Sequence, residues 1–358
     1  MKILISTGHP AQIHNFRLFR ENLIRDGHEV IWLSTNKDIS LQLLEIYGIP
    51  FTLLKRPGKS AVKRLCAIIG NTWTVIKTLR RNKIDLVVSR GDPYTSIGAF
   101  FCRTPHITLN DTENAAKVGR FFSKFVSDVF VPSCFHEQLR KDQQTFNANI
   151  ELFYLHRNRY APSSPSNLLG LVDGEKYALI RFVRWDAYHD VDLSGGFTAE
   201  KKRELVETMT KYARVFISSE DILPDDLEQY RIRIPLERMH DVLFGASLVI
   251  GESATMASES VVLGTPAIYV DEVGRGYTDE EAEAGLLFMF KPDEQDAAIR
   301  KAEEVLSGSM SMESYKARSA AFLESKIDPT AWLTWYVENY PSSEKEMKTS
   351  DDAQKRFR

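Results

Sequence analysis

The sequence predicts an α/β protein built as two doubly wound, Rossmann-like domains with parallel sheets. Three observations carry this. Short apolar runs of strand length alternate with helix-length amphipathic stretches through both halves of the chain, and that alternation builds parallel sheets. Residues 248–270 read as strand, turn, helix, turn, strand, a complete βαβ unit. Between the halves, Tyr160-Ala-Pro-Ser-Ser-Pro165 has the composition of a linker and sets a boundary near Pro162. With 358 residues and 43% hydrophobic content, the chain is long enough for two domains with separate cores.

A formal net charge of -3 argues against a general nucleic-acid binder, which needs a basic footprint. The cysteines Cys66, Cys102 and Cys134 are odd in number and lack CxxC spacing, which points to a reducing compartment without a disulfide framework or zinc site. The apolar run at Met1-Lys-Ile-Leu-Ile-Ser is too short for a signal peptide, and no other stretch is long and uncharged enough to span a bilayer. A cytoplasmic protein is expected.

In chain order, Ile3-Leu-Ile5 is the first strand, followed by a loop through Pro10. A helix over residues 14–25 has Phe16, Phe19, Leu23 and Ile24 spaced to pack on a sheet. Residues 30–33 and 51–54 are further strands, with a helix opening at Asp38 and closing at Gly48 between them. Sites in parallel sheets form at the carboxyl ends of strands. His9 and His14, on or beside the first such loop, are therefore candidates for acid or base chemistry near neutral pH, or else structural residues.

Residues 55–83 hold nine basic residues and no Asp or Glu, with Val62, Leu65, Ile69, Trp73, Ile76 and Leu79 at helical spacing. Two readings fit. A basic amphipathic helix suits peripheral contact with an anionic membrane surface; alternatively, a long helix packs its apolar stripe on the domain and leaves the basic face in water. Next come a strand from Asp85 and a loop in which Arg90 and Asp92 flank Gly91, placed to meet a ligand. Asp92 also fits the cap of a helix beginning near Thr95. The strand from His106 ends in Asp111 and Glu113, a carboxylate pair suited to acid and base roles or to sugar hydroxyls, with Asp111 preferred. No spacing suggests a metal cage, and residues 129–131 are expected to close the sheet.

Residues 177–183 open the second domain and run into Arg181-Phe-Val-Arg-Trp-Asp-Ala-Tyr-His-Asp190. Arg181 and Arg184 suit bidentate phosphate contact, and Trp185 and His189 bring ring faces for a sugar or base. The alternative is a structural loop in which Asp186 or Asp190 pairs with Arg. Residues 199–213 are a helix, 215–218 a strand and 232–234 a short strand; a segment over 235–245 carries His240. Gly251 permits a tight exit from its strand, Ser253 or Thr255 caps the following helix, and Gly264 with Pro266 ends it. That helix start is an anion site, with Ser253, Thr255 and Ser258 close by. Glu259, about one turn further in, is placed for two ribose hydroxyls. The plainer alternative is that the hydroxyls only cap the helix and Glu259 is solvated. A proline-started aromatic helix runs over 329–340, and residues 341–358, charged and poor in apolar side chains, read as a disordered tail.

Gly251-Glu-Ser-Ala-Thr-Met-Ala-Ser-Glu-Ser-Val-Val-Leu-Gly-Thr-Pro266 resembles the donor-binding motif of GT-B nucleotide-sugar enzymes. The stretch from Arg181 to Asp190 is similar to the Arg-Phe-Val-x-Trp-x-Ala-x-His-Asp stretch of the prokaryotic glycosyltransferase-like family catalogued as domain of unknown function 354. Ser89 to Gly98 resembles the His-Gly-Asp-Thr loop of the related UDP-N-acetylglucosamine 2-epimerases, with Arg90 where they have His. The resemblance implies a GT-B-like fold, with two Rossmann-like domains facing across a cleft. Residues 1–162 would be the acceptor side, 163–328 the nucleotide-sugar domain, and 329–340 a helix packing back on the first. The activity implied is a metal-independent glycosyltransferase using a UDP-sugar and no further cofactor, acting on a lipid-linked acceptor in surface polysaccharide or glycolipid synthesis. The diphosphate would sit at Ser253, Thr255 and Met256 with Glu259 on the ribose. His14, Asp92 and Asp111 would be catalytic, and Arg90, Glu113, Arg181, Arg184, Trp185 and His189 would bind substrate. The alternatives are a 2-epimerase-like enzyme, against which Arg181 and His189 replace that group's His-Arg pair, or a silent nucleotide-sugar binding protein.

Overall fold

Seven short apolar runs form the first sheet: Lys2–Thr7 (β1), Glu29–Thr35 (β2), Thr52–Leu54 (β3), Leu86–Ser89 (β4), His106–Leu109 (β5), Asp128–Pro132 (β6) and Gln144–Phe146 (β7). All pairings are parallel, in the order β3-β2-β1-β4-β5-β6-β7. The computed structural model describes residues 1–56, 58, 60–111, 113–172, 174–183, 196–219, 221–350 and 352–358. Strands β4, β5 and β6 are buried along their length, as strands are when helices cover both faces of a parallel sheet. The helices of this part are Pro10–Arg25 (α1), Ser40–Ile46 (α2), Ala61–Asn82 (α3), Pro93–Cys102 (α4), Ala116–Phe122 (α5) and Leu152–Leu155 (α6). On α1, Phe16, Phe19 and Leu23 are buried as expected, whereas Ile24 is exposed. The sheet does not close at residues 129–131, because Gln144–Phe146 adds an edge strand whose Phe146 is fully buried. A run of only three residues carries too little periodicity to be read in advance.

Tyr160–Ser325 is a second unit. Its strands are Tyr177–Phe182 (β8), Arg214–Ser219 (β9), Leu248–Gly251 (β10), Ala267–Val270 (β11) and Leu287–Phe290 (β12), all parallel, in the order β12-β11-β10-β8-β9. Its helices are Ser166–Leu169 (α7), Ala199–Met209 (α8), Asp225–Glu228 (α9), Met239–Gly245 (α10), Ala254–Val262 (α11), Gly276–Glu283 (α12), Gln295–Leu306 (α13) and Met312–Glu324 (α14). Residues 232–234 form no strand; one bridge joins Arg231 to Ile217. The prolines Pro224 and Pro235 bracket that stretch and cannot donate to a ladder.

The chain then returns. Lys326–Arg358 belongs to the first unit with Met1–Arg159, through Pro329–Glu338 (α15) and Ser342–Thr349 (α16). Trp332, fully buried, packs its ring 4.9 Å from Phe130 and 5.3 Å from Phe146. Residues 341–350 and 352–358 are therefore not a disordered tail. Ser343 donates to the Tyr336 carbonyl at 2.6 Å, Gln354 donates to the Thr145 carbonyl at 2.7 Å, and Arg356 stacks 4.0 Å over Trp335. Hydrogen bonds and a cation–π contact do there what apolar burial does elsewhere.

The order of each sheet fixes where ligands meet it. It reverses between β1 and β4 in the first sheet and between β8 and β10 in the second, and the crevice beyond the carboxyl ends at such a reversal is the binding position of open α/β sheets. Helix α3 departs from the packing alternative over its first half and follows it at Leu79 and in its solvated basic side chains. It buries Ala67, Asn71, Val75 and Leu79, while Val62, Leu65, Ile69 and Trp73 are 72%, 58%, 61% and 67% exposed. The buried stripe lies against α4, where a Cβ on Gly98 would come within 2.6 Å of Val75. Among the described residues, no helix is long and apolar enough to cross a membrane.

Candidate functional site

In the second unit, β8 and β10 run side by side with Arg181 in register with Gly251. A Cβ on residue 251 would lie 2.1 Å from the Arg181 carbonyl, so glycine is required by the closeness of the two backbones and not by the turn. Arg181 leaves β8 at its carboxyl end and donates to Ser218 at 2.9 Å. Immediately beyond Gly251, Ser253 caps α11 and accepts from the Met256 amide at 3.4 Å. The helix start, with Thr255 and Met256 in its first turn, thus follows the strand end that pairs with the Arg181 backbone at the reversal point. Ser258 is turned away: it is fully buried and donates to Glu281 at 2.5 Å.

Glu259 is not a solvated side chain. It is 6% exposed and sits 3.1 Å from His240 Nε2, and the Tyr160 ring packs edge-on to His240 at 6.1 Å. Tyr160 is itself fixed by Asp241, which also accepts from the Ser163 amide at 2.9 Å. The first residues of the unit are thereby tied to the helix that carries His240.

Glu252 organises the other side. Its carboxylate accepts from the Val183 and Phe197 amides, both at 2.9 Å, and pairs with Lys202 at 3.2 Å, both side chains being 6% exposed. Gly196, at φ +117, would push a Cβ to 2.4 Å from that carboxylate. Arg184, Trp185 and His189 lie outside the described residues, as does the whole of 184–195; Glu252 holds the residues that flank this segment.

In the first unit, the β1 and β4 ends bring His9, Arg90 and Asp92 to one edge. Asp92 caps α4, accepting from the Thr95 amide at 2.8 Å. Burial lifts its pKa to about 6 against the pull of hydrogen bonds to Thr95 and Ser6. Arg90 forms an ion pair with Asp111 and donates to Asn15 at 2.8 Å, and Asn15 donates in turn to the Ile150 carbonyl at 3.1 Å. His9 caps α1; burial first, then the Lys37 and Arg90 charges, push its pKa down to about 4, with Asp38 opposing. It is therefore neutral at pH 7. His14 stands on α1 with Nδ1 3.3 Å from the Tyr47 hydroxyl and its ring 5.3 Å from Tyr154. Glu113 opens a short turn just past β5.

The structure thus joins Arg90 with Asp111, and sets the Arg181 backbone against Gly251 just ahead of α11 while the Arg181 side chain reaches Ser218 on β9. It places His14 in an aromatic setting on α1. Sequence reasoning missed Glu252, Asn15 and the His240–Glu259 pair. Glu252 left one signal, an acidic side chain directly after a strand-end glycine. Among the described residues, no group of three or more His, Cys, Asp or Glu is arranged to hold a metal ion.

No family model matches the chain, and no curated protein matches it. Solved structures do. The UDP-GlcNAc 2-epimerase of Neisseria meningitidis bound to UDP-GlcNAc is similar at 14% identity and TM-score 0.66, over 95% of this chain and 100% of that one. Staphylococcus aureus MnaA with UDP is similar at 13% identity and TM-score 0.63, over 98% of both chains. Acinetobacter baumannii MurG is similar at 14% identity and TM-score 0.59, over 94% of this chain and 99% of that one. With two parallel-sheet Rossmann-like units and likenesses that run nearly end to end, the chain has the GT-B fold.

Proposed function

We propose that the chain is a glycosyltransferase that takes a nucleotide-diphosphate sugar, with a UDP-sugar as donor. The observation that carries this is the reversal point of the second sheet, where Arg181 and the capped start of α11 sit on paired strands. An arginine on one strand and a helix N-terminus following the paired strand are together suited to a diphosphate, which is charged in the ground state and more so as it leaves. Glu259, held by His240, offers a carboxylate of fixed orientation for the ribose. Two solved structures of the same fold hold UDP or UDP-GlcNAc, which supports uridine as the base. No step assigned here calls on a metal ion.

Asp92 is the assigned base. Its pKa of about 6 leaves it ionised yet basic at neutral pH, whereas Asp111 is engaged by Arg90. In the transfer the acceptor hydroxyl gives its proton to a carboxylate base, its oxygen bonds the sugar's anomeric carbon, and the bond from that carbon to the diphosphate breaks.

Calorimetric titration with UDP, GDP, CDP and dTDP tests the donor site. UDP is expected to bind, and Arg181→Ala and Glu259→Gln are each expected to weaken it by about tenfold or more. Absence of binding by every nucleotide would end the reading. A 2-epimerase-like reaction is the second reading, favoured by the Ser89-Arg90-Gly91-Asp92 loop at the first sheet's reversal point. It requires UDP release from UDP-N-acetylglucosamine with no acceptor present; the transferase does not.

A further inference from the structure

We propose that the face of the first unit formed by α3, α4 and α5 docks on an anionic lipid bilayer. The apolar stripe Val62, Leu65, Ile69 and Trp73 points outward along α3, each residue more than half exposed. On the next helices, Phe100, Phe101 and Phe121 are 53%, 66% and 56% exposed. They form one cluster through Phe125, whose ring lies 5.3 Å from Phe100 and 5.8 Å from Phe121. Helices α3 and α4 are themselves joined at Val75 and Gly98. A monomer rarely leaves a contiguous apolar patch larger than a few hundred Å² uncovered.

Charge selects the occupant. Of the nine basic residues in 55–83, eight are exposed and Lys59 lies outside the described residues; the segment has no acidic residue. Helix α4 carries no charge, and α5 with the turn after it adds exposed Lys117 and Lys124, while Arg120 is paired with Glu137. A second copy of this chain would set this cationic face against itself. An anionic bilayer complements it, taking the aliphatic and aromatic side chains at the interface and the lysines and arginines among its headgroups.

Helices α3, α4 and α5 each follow a strand of the first sheet, so their N-terminal ends share the carboxyl edge that carries Arg90, Asp92 and Asp111. Docking through this face brings that edge to the bilayer and makes the acceptor a membrane-borne lipid. Only this last step rests on the transferase reading.

The test is co-sedimentation of the full chain with vesicles of phosphatidylcholine alone or mixed with phosphatidylglycerol. The protein is expected to bind the anionic vesicles at low salt and to release at high salt. Trp73→Glu, and separately Lys77→Glu with Arg80→Glu, are each expected to lower partitioning by about tenfold or more. All three positions are exposed, and an unchanged melting curve checks that the fold is kept. Equal binding to neutral vesicles, or no binding, overturns the proposal. A dimer in light scattering that Trp73→Glu dissociates overturns it in favour of a second copy. The assay uses no nucleotide, so its failure and failure of the UDP titration are separate results.

Discussion

Asp92 joins two tasks in one carboxyl group, capping α4 and standing as the assigned base. Its folded pKa of about 6 is above its ordinary 3.8, so the folded protein holds this proton more tightly than the unfolded chain. The stabilisation from protonated Asp92 is complete below about 3.8 and is lost as pH rises through 6. Asn also caps helices, so Asp92→Asn is expected to raise the urea midpoint at pH 7 relative to wild type and to flatten its pH dependence between these values. The same variant should abolish an acid limb near pH 6 in kcat/KM; a variant that keeps both limb and rate would remove Asp92 from catalysis. Gly251 permits a prediction from geometry alone. Gly251→Ala is expected to cost about 3 kcal/mol or more in urea unfolding, because the added carbon meets backbone in a paired strand and not a side chain that swings away. Neither value was legible in the sequence. From sequence Asp92 reads as a cleft residue or a cap, and Gly251 as a turn glycine, because burial and strand register arise only once distant segments pair.

At the scale of single elements, legibility followed local periodicity. The βαβ unit at β10, α11 and β11 could be read because its caps, its glycine and its apolar runs are contiguous in sequence. Ser253→Ala is expected to destabilise by about 1 kcal/mol or less, given the long 3.4 Å cap bond, and to weaken UDP binding through a frayed first turn, as read by melting and titration. Helix α3 shows the limit of the same reasoning: its apolar stripe was visible, but the direction it faces was decided by Gly98 on another helix. Glu252 was equally hidden, because its partner Lys202 looks like one more charge on an amphipathic helix. Glu252→Gln removes one carboxylate from a buried ion pair and weakens its bonds to the Val183 and Phe197 amides, and a loss of about 3 kcal/mol in unfolding free energy is expected. A loss within experimental error would mean that water reaches the pair.

For the whole molecule, composition and alternation were enough for two parallel-sheet units, whereas the last residues were misread because their order depends on partners far back in the chain. Trp332 fills a space bounded by Phe130 and Phe146, and Asn22 donates to Thr334 at 3.1 Å. Truncation after Ser325 is expected to unfold the first unit and leave the second protected in hydrogen exchange, still binding UDP. Equal protection of both units would show that Lys326–Arg358 is dispensable. The division of the chain also sets an order of events during synthesis. Residues 1–159 leave the ribosome first, yet their sheet lacks the aromatic helix that covers β6 and β7 until residues 326–358 emerge. The unit made second is thus the first that translation completes, and the nascent first unit must wait with Phe130 and Phe146 uncovered, a natural client for chaperones.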